Sequence, residues 1–236
     1  MNEPGVHDPE NVRSLFDEMA KTYGYVHLFS SLGFAYFWRK ACARQIPRES
    51  LQVLDVMSGS GECVTHLIPW LGAATKIQMV DFSASMCAAA QRNLNRWKNP
   101  NVEVLNGDAL SLPFRDDGFD AVTSTFGLKT LSMDQLAQFA RELYRVVRPG
   151  GVVSLLEFSI PDRPYLIPFF RFYVKHYVPF LGRIFLGNPD NYRMLWKYTV
   201  GFGDCSTAMP AFRAAGFKLE LRRYFFGSAT HLVGWK

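Results

Sequence analysis

No run of the 236 residues approaches the roughly 18 uninterrupted apolar positions that a membrane-spanning helix needs. The opening stretch "MNEPGVHDPENVR" has neither the basic start nor the apolar core of a secretory signal, so a cytoplasmic location is expected. Cysteine is scarce and scattered. Cys42, Cys63, Cys87 and Cys205 form no CxxC pair, and no histidine cluster stands at ligand spacing, which argues against a disulfide framework or a zinc site. They read as reduced, buried thiols. Internal repeats and low-complexity tracts are also missing. Acidic residues fall short of basic ones, 21 against 26, and the resulting charge of +5 suits an anionic partner without choosing between nucleic acid and a lipid surface. What is present is 48% hydrophobic residues, enough to core one full α/β domain in a chain too short for two of ordinary size.

Strands and helices alternate along the chain. "LQVLDVM" reads as a buried parallel strand, followed by a glycine turn and a helix from about Glu62 to Leu71. "KIQMVDF" is a second strand, with Ser83 as N-cap of the helix "ASMCAAAQRNLNRW". "VEVLNGD" and "FDAVTSTFG" are the third and fourth strands. "MDQLAQFARELYRVV" has helical spacing, stops at "RPGG" and leads into the strand "VVSLLEF". A short helix and a final pair of strands complete the chain. This order predicts a doubly wound, mostly parallel sheet within a single α/β domain over 1–236. Two segments fall outside it: helices over 11–47 that cap the sheet, and an aromatic-rich insertion over 162–202.

"VLDVMSGSGECV", residues 53–64, carries the first chemical signal. Gly59 and Gly61 follow strand one directly, where small residues let a ligand approach the backbone and a helix N-terminus offers free N–H groups. A pyrophosphate fits poorly. Val64 stands where a dinucleotide site has its third small residue, and Glu62 would repel phosphate. Asp81, at the end of strand two, is placed to accept hydrogen bonds from ribose hydroxyls, and Asp108, at the end of strand three, to receive an adenine amino group. A bare strand-to-helix turn would also explain the glycines. Carboxylates at successive strand ends favour instead a nucleoside with a cationic tail, of which S-adenosyl-L-methionine (SAM) is the common one.

At this point the motifs resemble the ubiquinone/menaquinone biosynthesis C-methyltransferase family, a Rossmann-like class I SAM-dependent group with a seven-stranded sheet. The stretches that carry the resemblance are "FDEMAKTYGYVHLFSSLGFAYFWRK", "VLDVMSGSGE", "LSLPFRDDGFDAVTSTFGL", "RVVRPGGVVSLLEFSIP", "NYRMLWKYTV", "AAGF" and "HLVGWK". The resemblance implies a cofactor set of Asp55, Gly59, Ser60, Gly61, Asp81, Phe82, Asp108, Ala109 and Thr125, with Asp55 supporting the turn. Departures lie on the substrate side. Tyr23, Gly24, Val26 and His27 stand where the family has "YD" and an "MN" pair, and Lys129 and Thr130 replace an Arg-Asn pair. Methylating a quinol ring carbon requires loss of a phenol proton, directly or through water. Tyr23, His27 and Lys129 are the catalytic candidates, with Tyr25 and Asp108 behind them. Lysine keeps the positive charge but loses the planar fork of arginine. His231 and Lys236 match the terminal motif and read as structural.

"YLIPFFRFYVKHYVPFLGRIFLG", residues 165–187, mixes aromatics with Arg171, Lys175 and Arg183 and holds no acidic residue. Bases could stack on such rings. Its prolines and bulky aliphatics suit an apolar wall better, so nucleic acid is not expected, and peripheral contact with the inner face of a membrane is. The resemblance implies action on the ring of a polyprenyl quinone or quinol, with C-methylation the default. A rhodoquinone-forming enzyme would instead replace a ring methoxy with an amino group, using SAM and a divalent metal such as manganese. The ligands of that metal are unassigned: no ligand spacing is visible, and Glu62, Asp81 and His27 stay open as candidates. A secondary-metabolite O- or N-methyltransferase and a non-catalytic quinone-binding protein would also suit the motifs. The oligomeric state stays open, a homodimer included.

Overall fold

Buried β-branched runs separated by amphipathic stretches have one economical solution, a parallel sheet covered on both faces, and the chain adopts it. The computed structural model describes residues 6–20, 31, 33–97, 99–184 and 189–236. The strands are β1 (Gln52–Val56), β2 (Lys76–Asp81), β3 (Val102–Asn106), β4 (Phe119–Thr125), β5 (Val147–Phe158), β6 (Lys218–Tyr224) and β7 (Ala229–Trp235). They form a seven-stranded sheet in the order β3-β2-β1-β4-β5-β7-β6. β1 pairs in parallel with both β2 and β4, whereas β7 runs antiparallel between β5 and β6. The order reverses between β1 and β4, and in open α/β sheets a ligand crevice opens at that reversal.

α1 (Pro9–Met19) and α2 (Phe34–Ala43) precede β1, and α3 (Val64–Trp70), α4 (Ala84–Trp97) and α5 (Met133–Val146) lie between successive strands. α5 shows why its sequence is helical. Ser132 and Gln135 form a reciprocal capping box, and Leu136, Phe139, Ala140, Leu143 and Val146 bury one face against the sheet. α3 begins two residues later than its sequence suggests, because residues 59–63 are spent in the glycine turn. The helix stops before "RPGG" as expected, but these residues belong to the strand that follows. β5 already starts at Val147, with a register shift against β4, and a Cβ on Gly151 would stand 2.8 Å from the Asp120 carbonyl.

After β5 the chain leaves the sheet for α6 (Ile167–Phe172), a π turn (Tyr173–Tyr177), α7 (Val178–Ile184) and α8 (Pro189–Phe202), then returns through α9 (Met209–Ala215). The insertion and the N-terminal helix pack on each other. Val12, Leu15 and Met19 of α1 share a core with Val178, Leu181 and Tyr198, and the Tyr198 hydroxyl donates to the Val6 carbonyl at 2.8 Å. α1 is fixed to the sheet side by Asp17, which accepts from the Ser83 hydroxyl and the Ser85 N–H at the start of α4. The two segments outside the sheet therefore form one roof over the carboxyl ends of β1 and β2. No helix among the described residues is long and apolar enough to cross a membrane.

Candidate functional site

A cleft opens at the strand-order reversal and has two connected compartments. The first, with an empty volume of about 570 Å³, is lined by Val80, Asp81, Phe82, Gly107, Asp108, Ala109 and Leu110 from the strand ends and by His7, Val12 and Arg13 from the roof. The second, of about 480 Å³, is lined by Ser58, Gly59, Glu62, Thr125, Phe126, Gly127, Arg39 and Phe16. Met57, Asp81, Phe82 and Thr130 border both.

Asp81 is the hinge of this arrangement. Its carboxylate accepts the Gly59 N–H at 2.8 Å and the Ser83 N–H at 3.0 Å, tying the glycine turn to the first turn of α4. Each oxygen keeps a spare lone pair, enough for two further donors. Burial raises its pKa to about 6, opposed by the two N–H bonds and reinforced by the Glu62 and Asp17 carboxylates. Gly59 (φ 57°) and Gly61 (φ 91°) adopt left-handed backbone, which only glycine takes without cost. Ser60 and Gly61 shape the turn without lining either compartment: the Ser60 hydroxyl donates to Glu62, and its carbonyl accepts from Asn93 at 2.9 Å.

Asp55 lies behind the wall, 1% exposed, accepting the Thr123 hydroxyl at 2.6 Å and so joining β1 to β4. Burial pushes its pKa up to about 8, helped by Cys42 and Glu62 and opposed by Thr123 and Arg39. It therefore carries a proton at neutral pH. Lys129 is also away from the wall. Its ammonium bonds the Glu157 carboxylate and the Phe126 carbonyl, both at 2.7 Å, with Lys129 6% and Glu157 0% exposed. The two ends of Glu157 further accept the Lys129 and Phe158 N–H groups. This placement makes Lys129 a clamp under the β4 end, not a cation facing the cleft as expected from its sequence position. Tyr23, Gly24, Tyr25, Val26 and His27 lie outside the described residues.

Two strand ends turn through left-handed backbone without glycine: Met57 (φ 51°) after β1 and Phe126 (φ 68°) after β4. Such residues persist where the surroundings over-determine them, commonly at ligand sites. Gly127 lets the two ends approach, since a Cβ there would stand 2.9 Å from Met57 Cβ and Sδ. Gly127→Ala is expected to lower stability by about 1–3 kcal/mol and to weaken ligand binding in the cleft. Thermal unfolding and calorimetry would check this; an unchanged midpoint and affinity would show that Met57 yields freely.

Several site residues escaped the sequence reading. His7, Arg13, Phe16 and Arg39 line the cleft, and Glu157 holds Lys129. For Arg39 and Glu157 the only signal was their presence in "FWRK" and "LEFSIP". Among the described residues, two of the buried polar atoms without partners lie on this wall, Arg39 Nε and Ser58 Oγ. Buried polar groups are normally paired, so this set calls for a polar ligand or ordered water. With the spare acceptors of Asp81, the apolar slot at Phe82, Ala109 and Leu110, and both charge signs in the second compartment, the residues present fit SAM. Among the described residues no group of three or more His, Cys, Asp or Glu could hold a metal ion.

Sheet order, glycine turn and cleft together define the Rossmann-like fold of SAM-dependent methyltransferases. A solved SAM-dependent methyltransferase from Thermotoga maritima shares it, with a TM-score of 0.62 at 19% identity over 94% of this chain and 99% of that one. The [4+2]-cyclase SpnF also shares it, at 0.60 and 18% over 84% and 80%, so the fold alone does not name a reaction. Sequence goes further. The model of the ubiE/COQ5 methyltransferase family matches residues 5–236. A demethylmenaquinone methyltransferase of Lactiplantibacillus plantarum is 35% identical over 96% of both chains, and one of Lactococcus lactis 33% identical over 95% of this chain and 89% of its own. The chain belongs to the ubiE/COQ5 methyltransferase family, and it is a SAM-dependent methyltransferase.

Proposed function

We propose that the protein methylates a ring carbon of a polyprenyl quinol in quinone biosynthesis, with a demethylmenaquinol as the first acceptor to try. The observation that carries this is the end-to-end likeness to relatives named demethylmenaquinone methyltransferases. Amination of a ubiquinone ring has no support from those comparisons. SAM, when bound, supplies an electrophilic methyl group on a sulfonium. Asp81 holds the ribose with its spare lone pairs, while Asp108 and Ala109 border the adenine side. Ser58, Gly59, Glu62 and Thr125 face the tail and the reacting end. Phe16, Phe82 and Phe126 exclude water, so that a ring losing its phenol proton keeps its electron density for the methyl group. Tyr23 and His27 are proposed to handle that proton.

The prenyl tail is proposed to reach the cleft from a membrane surface. Tyr165, Phe169, Phe172, Phe180 and Ile184 are exposed on the insertion, beside exposed Arg171, Lys175 and Arg183. The β6–β7 turn continues this face: Phe225 and Phe226 are exposed, and the Phe226 carbonyl accepts the Asp162 N–H at 2.9 Å. Rings flanked by cations favour anionic lipid. Phe169→Ser/Phe172→Ser is expected to cut co-flotation with anionic vesicles by roughly tenfold or more, since each ring forgoes about 1.5–3 kcal/mol of burial. Equal flotation would remove the support for this face.

The function itself is tested by mass spectrometry of quinones after incubation with SAM and demethylmenaquinol in detergent. A gain of one methylene on the ring is expected. Methylation only of soluble aromatic hydroxyls, or exchange of methoxy for amino in the presence of manganese, would overturn the assignment.

A further inference from the structure

The chemistry proposed above leaves one buried cation without a task. Arg39, on α2, is 7% exposed, and no carboxylate or hydrogen-bond acceptor among the described residues pairs with its guanidinium. Buried arginines are rare and ordinarily paired. Among the described residues its guanidinium stacks on the face of Phe126, with Cζ 4.9 Å from the ring centroid. Stacking occupies the face of the guanidinium and leaves its in-plane N–H donors free. Arg39 lines the second compartment together with Ser58, Glu62 and Thr125.

We infer that Arg39 is the anion-holding residue of the cleft, its guanidinium receiving an anionic oxygen either from the acceptor ring as its phenol ionises or from the carboxylate of the SAM amino-acid tail. The inference rests on the function proposed above. Four observations support it beyond burial. Asp55, a buried acid that feels the Arg39 charge, has its pKa pushed up to about 8 by burial and so supplies little countercharge at neutral pH. The other carboxylates of the compartment hold other donors, Asp81 the Gly59 and Ser83 N–H groups and Glu62 the Ser60 hydroxyl, and neither forms an ion pair with Arg39. Lys129, the cation expected beside the acceptor, is held by Glu157 instead. Finally, α2 is pinned from behind, which fixes Arg39 in place. One turn on from it, the Cys42 carbonyl accepts the Ser154 hydroxyl at 2.9 Å, and Ser154 Oγ shares a 2.8 Å hydrogen bond with His231, itself bonded to Tyr224.

SAM brings two positive centres and one negative one, so Glu62 and Asp81 alone leave its carboxylate unanswered. A quinol acceptor brings a developing phenolate to the same compartment. Both are oxygen anions that a planar fork of donors suits better than a point charge.

The test compares the unaltered chain with Arg39→Gln and with Arg39→Lys, which keeps the charge without the fork. S-adenosylhomocysteine and 5′-methylthioadenosine, which lacks the amino-acid tail, are titrated by calorimetry. A hydroxynaphthoquinone ionised at neutral pH is titrated by its visible absorbance into protein loaded with S-adenosylhomocysteine. If the anion is the carboxylate, Arg39→Gln weakens S-adenosylhomocysteine by about 10- to 100-fold and spares 5′-methylthioadenosine. If it is the ring oxygen, both nucleosides bind as before and the hydroxynaphthoquinone is weakened by that factor. Arg39→Lys recovers part of either loss. Unchanged binding of all three ligands to Arg39→Gln overturns the inference. Failure of the unaltered protein to bind either nucleoside would instead strike the function on which it rests.

Discussion

Lys129→Met lowers stability by about 3–5 kcal/mol, the cost of leaving a buried charge without its partner. For a chain of this size that is a fall in unfolding midpoint on the order of 10 °C. The loss arises because Glu157, 0% exposed, would keep its carboxylate with only the Lys129 and Phe158 N–H donors. Glu157→Gln alone strands the ammonium and should cost a similar amount. Combined, Lys129→Met/Glu157→Gln recovers much of the stability, since neither charge remains and the amide oxygen still accepts from the backbone. If Lys129→Met kept its midpoint and lost only turnover, the lysine would be acting in the chemistry after all.

Asp81→Ala weakens SAM by about 100-fold or more, because each hydrogen bond to a charged group contributes about 1.5–3 kcal/mol and two are lost. Calorimetry at neutral pH measures it, and unchanged affinity would remove Asp81 from the ribose site. The same residue gives two opposite pH slopes. Its folded pKa, raised to about 6, stands above the ordinary carboxylate value. A raised carboxylate contributes stability that is complete below about pH 4 and lost as pH rises through its folded pKa. Asp55 does the same with a window reaching to about 8. Between about pH 4 and 8 these two carboxyls pull the stability of the ligand-free protein down as pH rises, opposed below about 6.5 by His66, whose pKa burial depresses to about 4, so the effect is read as the difference between the unaltered protein and an Asp81 variant. SAM binding should weaken as pH falls through about 6, since a protonated Asp81 loses acceptor capacity. Asp81→Asn removes the inflection near 6 from the unfolding midpoint; an unaltered curve would contradict the assignment.

The sheet was legible because its strands are short apolar runs and its helices keep their period, and Asp81 and Asp108 were legible because a strand end fixes where its last side chain stands. Residues whose roles depend on partners remote in sequence were not. Lys129 and Glu157 are separated by 28 positions, so nothing local announces that the ammonium is already bound. The roof is a similar case: helical patterns in 11–47 and 162–202 suggested two attachments, and only tertiary packing joins α1 to α7 and α8. Left-handed Met57 and Phe126 contradict local propensity, as expected where ligand geometry outranks it. The proposed proton-handling pair, Tyr23 and His27, lies outside the described residues.

The turn between β6 and β7 makes a different demand on the chain. Phe225 and Phe226 hold φ of 45° and 56°, followed by Gly227 at 81°, so two bulky side chains occupy backbone suited to asparagine or glycine. Each forgoes about 1–2 kcal/mol of conformational stability. Someone engineering a hardier enzyme would begin here: Phe226→Gly should raise the unfolding midpoint by several degrees. The same change strips an exposed ring from the face proposed to meet lipid, so a gain in shelf life is expected to come with weaker vesicle binding.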